Sequence, residues 1–128
     1  MQILFHAHSG VRYLVLLAGL IAVVYAAIGL FGRKPYDRGG RITMQLFVGL
    51  LDVQVLLGII LVFLWPFYPA LTGHIVMMAL AAVVAHVTSA MNRRRPAERK
   101  SWPLQFGGAV LAMLFIVGGI MAIGRSIL

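Results

Sequence analysis

Cysteine is missing from this chain, and acidic side chains nearly so: 3 Asp and Glu stand against 11 Lys and Arg in 128 residues. Without cysteine there is no disulfide, thiolate metal site, iron–sulfur cluster or c-type haem attachment, and the redox compartment stays undetermined. No paired carboxylates for hydrolysis, Gly-rich phosphate loop or Ser-His-Asp arrangement can be found, and Ser9-Gly10 is too weak a pattern for a nucleophile motif. Charge of either sign is scarce as well, at 11% of residues, while 62% are apolar. With a mean hydropathy of +0.98, the composition lies far outside that of soluble domains. This is the composition of a membrane protein.

Four apolar runs, at about 11–31, 44–65, 74–91 and 104–123, are each long enough to cross a hydrocarbon core of about 30 Å as a helix. The fold expected is therefore all-α, a single transmembrane domain over residues 1–128 with four helices running up, down, up and down. No Lys or Arg precedes the first run, which is too long for the apolar part of a signal peptide, so no cleavage is expected.

The net charge of +8 invites a nucleic-acid reading, but its placement points elsewhere. Arg33, Lys34, Arg38 and Arg41 occupy the first connection, and Arg93, Arg94, Arg95, Arg99 and Lys100 the third, whereas 66–73 has no basic residue. Basic loops face the cytoplasm, so both chain ends and the second connection are expected on the other side of a bacterial inner membrane. Lipids are the expected surroundings, with other membrane subunits or copies of the same chain as partners. Trp65-Pro66-Phe67-Tyr68-Pro69 joins helix-stopping prolines to aromatics that favour the membrane interface, and Tyr36 and Trp102 are expected to mark the opposite interface.

Small residues recur in every run: Gly19 and Ala22; Gly49 and Gly58; Ala79, Ala81, Ala82 and Ala85; Gly107, Gly108, Gly118 and Gly119. They let membrane helices approach closely. Clearing space for a flat cofactor is the other use of such positions, and spacing does not separate the two.

Asp52 is the only formal charge between Arg41 and Arg93. An ionisable group within a membrane helix costs about 2.5–3.5 kcal/mol on insertion scales, so it is expected to face the bundle interior with a partner. At a rise of about 1.5 Å per residue, His86 falls at nearly the same depth and is the expected partner. Three roles stay open for the pair: a polar clamp, a proton or quinone-headgroup site, and support of a cofactor. Gln54 points about 200° away from Asp52 around the same helix.

His8 and His74 share the outer level and open the first and third helices, which run in the same direction. Two imidazoles facing each other across a bundle can hold a haem iron. Arg12 follows His8 by four residues and lies within reach of a haem propionate. The alternative is that both histidines are interfacial side chains with no ligand. His6 is expected to be exposed on an irregular segment.

At His8-Ser9-Gly10-Val11-Arg12-Tyr13-Leu14 the chain resembles a group of small bacterial four-helix membrane proteins described as cytochrome-b-like, whose first helix opens with a similar His-Ser-Gly-x-Arg-aromatic sequence. The resemblance extends to Gln54 with Leu56-Leu57-Gly58 and to His74 with Met77 and Met78, and so touches three helices. It implies a haem-binding or electron-transfer role for His8 and His74. Thr72-Gly73 precede His74 where the family pattern leads one to expect an acidic residue. The readings carried forward are a b-type haem protein for electron transfer, a cofactor-free accessory subunit of a respiratory or photosynthetic assembly, and a small transporter using Asp52. Four helices leave the last little room for alternating access.

Overall fold

The computed structural model describes residues 2–64, 69–95 and 101–123. These hold four helices and no strand: α1 (Gln2–Phe31), α2 (Arg38–Leu64), α3 (Ala70–Arg94) and α4 (Trp102–Ala122). Each is long and apolar enough to cross a membrane, and together they form an all-helical bundle.

The helices outrun the apolar segments that announce them, because the polar residues at their ends still form helix. α1 begins near the N-terminus and carries His6 and His8 on regular helix, not on an irregular segment. α2 and α3 absorb Arg38, Arg41, Arg93 and Arg94, which shortens the basic connections. α1 stops in a Schellman turn, with Lys34 N–H donating to the Gly29 carbonyl at 3.0 Å and Arg33 N–H to that of Leu30 at 3.3 Å. Arg33, at φ 52°, takes the left-handed position usually given to glycine. Asp37 then caps α2 by accepting from Gly40 N–H at 3.0 Å, and Ser101 caps α4 by accepting from Leu104 N–H at 3.4 Å.

Sequential helices are antiparallel. His8 near the start of α1 lies beside Gly58 near the end of α2, and Thr88 near the end of α3 packs on Gly108 near the start of α4. The closest pairs are α3 with α4 and α1 with α2; of the adjacent helices α2 and α3 meet least, and of the two diagonals α1 and α3 face each other across the wider one. Val15, Ala22, Phe47, Leu51, Ala81, Ala85, Ala109, Ala112 and Ile116 form the core. Of the small residues, Ala22, Ala81 and Ala85 are buried there. Gly49 and Gly107 do not serve packing as expected, since a Cβ on either would meet nothing within 4 Å. Ala79 is likewise exposed.

One end of the bundle carries the basic residues and the other carries His8 and His74. Tyr36 and Trp102 lie at the basic end and turn into the bundle. Trp102 is 5% exposed, wedged against Gly29 and Gly40, where any side chain would overlap its ring. Its Nε1–H donates to the Lys34 carbonyl at 2.8 Å. The aromatic connection at 65–68 lies outside the described residues.

Candidate functional site

A cavity of about 410 Å³ occupies the histidine end, and all four helices line it. Its walls are mainly Val, Leu and Ile, with His8, Arg12, Gln54 and His74 as the principal polar side chains. Size and lining fit a small-molecule or cofactor site: mostly apolar, with a few polar groups converging.

Helix direction brings His8 and His74 together. α1 and α3 start at the same end, so their first turns project two imidazoles across the wide diagonal, with ring centroids 6.4 Å apart and planes crossing at 86°. His74 Nδ1 lies 2.8 Å from the Gly119 carbonyl. A carbonyl only accepts, so Nδ1 carries the hydrogen and Nε2 keeps its lone pair. This is the arrangement that fixes tautomer and ring orientation in metal-ligating histidines. Both rings rest on glycine: a Cβ on Gly119 would stand 3.6 Å from His74 Nδ1, and one on Gly58 would stand 3.2 Å from His8 Cε1.

Arg12 shares the cavity with His8 because α1 is continuous helix through both. Its guanidinium donates to the Tyr13 hydroxyl at 2.7 Å and lies 4.6 Å from the centroid of that ring, while its Nε is buried with no hydrogen-bond partner. Gln54, set apart by its angle from Asp52, proves to be a cavity residue. It is 5% exposed and donates through Nε2 to the His8 carbonyl at 2.8 Å, and its Oε1 is buried without a partner. The signal for it was present in sequence: Gln54 and Gly58 are four residues apart and share one face of α2. His6 is exposed, its ring edge-on to Phe5 at 6.1 Å.

Asp52 and His86 meet, with His86 Nε2 2.6 Å from Asp52 Oδ1. Their position overturns one expectation: Asp52 does not face the interior. The side chains of His86 and Asp52 are 52% and 49% exposed on the outer surface of the bundle, where α2 passes α3. Leu51 and Gln54 take the inward side of this part of α2, and helical rotation turns Asp52 outward from both. The pair does not line the histidine-end cavity.

No protein-family model, curated protein or solved structure matches this chain. Among the described residues no three His, Cys, Asp or Glu converge as metal ligands, and two imidazoles alone are too few to hold a bare ion.

Proposed function

We propose that this chain holds one b-type haem in the histidine-end cavity, where His8 and His74 would hold the iron, and serves electron transfer in a bacterial inner membrane. The observation that carries the reading is the separation of the two rings. Their centroids are 6.4 Å apart, close enough that both imidazoles would reach one metal ion. When bound, haem supplies a one-electron Fe(III)/Fe(II) couple whose potential follows from its axial ligands and surroundings.

Gly119 holds His74 Nδ1, so that Nε2 would be left for the metal. Arg12 supplies positive charge for a propionate at the cavity edge, with its buried Nε still open to an acceptor. Membrane orientation belongs to the same proposal: the basic end faces the cytoplasm, and both termini lie on the opposite side. Reporter fusions after Phe31 and at Arg95 should read cytoplasmic, and fusions at Leu71 and at the C-terminus external. A cytoplasmic C-terminus would reverse that orientation.

Protein purified from haem-sufficient cells should carry one non-covalent haem per chain, extracted intact by acid-acetone and quantified as its pyridine adduct. A colourless product overturns the reading in favour of a cofactor-free accessory subunit.

A further inference from the structure

Asp52 and His86 lie on the outer surface of the bundle at a depth where lipid is expected. Asp52 is near the midpoint of α2. About 16 Å of helix separates it from Arg41, and about 10 Å separates His86 from Arg93. The pair thus falls within a hydrocarbon layer of about 30 Å. One hydrogen bond joins Asp52 Oδ1 to His86 Nε2, and Asp52 Oδ2 and His86 Nδ1 have no partner among the described residues. Lipid tails offer none, and unsatisfied polar atoms are costly in hydrocarbon.

We propose that this face is closed by a second copy of the chain, in a two-fold dimer packed along α2 and α3. Hydrocarbon favours the electrically neutral form of the pair, whether the shared proton sits on Asp52 or on His86. In both cases His86 Nδ1 carries a hydrogen and Asp52 Oδ2 accepts. The patch thus offers one open donor beside one open acceptor at a single depth. A two-fold interface is self-complementary. An axis along the membrane normal sets each copy's His86 Nδ1–H against Asp52 Oδ2 of the other, forming two bonds and leaving no open atom.

The surrounding surface admits such an approach. Gly49, one turn from Asp52, is exposed, and a Cβ there would meet nothing within 4 Å. Gln45, two turns from Asp52, is exposed on the same face. Small residues beside polar ones are the means by which membrane helices associate. A second copy would also brace α2 and α3, the least closely packed neighbours in the bundle. A quinol or an unrelated subunit must supply a matching donor and acceptor by its own chemistry; a copy of this chain supplies both by symmetry.

The lack of cysteine makes single-cysteine cross-linking a clean test in native membranes. Gly49→Cys treated with a short bis-maleimide should run at the mass of two 14.0 kDa chains. Leu111→Cys, 44% exposed on α4, should remain a single chain. In detergent, Asp52→Leu with His86→Leu should raise the dimer dissociation constant about tenfold, and the exchanged pair Asp52→His with His86→Asp should restore it. The dimer is excluded if Gly49→Cys stays monomeric, if Leu111→Cys cross-links equally well, or if the native mass is one chain bearing a quinone or another subunit. The cross-linking arm keeps the pair intact, so it reads even if the leucine variants fail to fold.

Discussion

Gln105 and Gln54 are both buried glutamines on apolar helices, and the two ends of the bundle treat them differently. At the basic end Gln105 is 0% exposed. It accepts from the Tyr36 hydroxyl at 2.6 Å and donates to the Ala22 carbonyl and to Thr43 Oγ1, each at 3.3 Å. Burial raises the Tyr36 phenol above its ordinary value, despite an opposing hydrogen bond with Asn92, so it stays protonated and donating. At the histidine end Gln54 bonds only through Nε2, and its Oε1 faces no partner, beside a cavity of about 410 Å³. An end that satisfies its own polar atoms is a clasp. An end that leaves them open beside a cavity has polar atoms and room to spare.

The contrast sets the order of expected stability losses. Trp102→Ala, which empties the space between Gly29 and Gly40, should destabilise the bundle by about 3–5 kcal/mol in denaturation from mixed micelles. Gln105→Leu should cost about 1–3 kcal/mol, because it takes away the acceptor of the Tyr36 O–H. Gln54→Leu should cost under about 1 kcal/mol, since it removes one bond together with an atom that already lacks a partner. If the two glutamine variants lose equal stability, the ends are not different in kind. Arg33→Gly should gain about 1 kcal/mol by relieving the left-handed backbone at the end of α1.

The four helices were legible because 20-residue apolar runs have few other fates. Their ends were not, since the Schellman turn at Arg33 and the caps at Asp37 and Ser101 depend on local geometry beyond the apolar pattern. Depth was legible too: the rise of a helix pairs Asp52 with His86 and His8 with His74. The direction a side chain faces was not. In a membrane helix the lipid side is as apolar as the core, so the stripe that orients a soluble helix is absent. Asp52 was therefore expected inward and lies outward. Gln54, on the inward side, went unassigned, and the inward turn of Trp102 into the clasp was not legible either.

Reduced-state absorbance of the purified protein, compared across three histidine variants, tests the histidine-end site most directly. Wild type and His6→Ala should show sharp α and β bands, because two strong-field nitrogen ligands leave no open position on the iron. His8→Ala and His74→Ala should each lose or alter those bands. Bands unchanged in both His8→Ala and His74→Ala would contradict ligation by this pair.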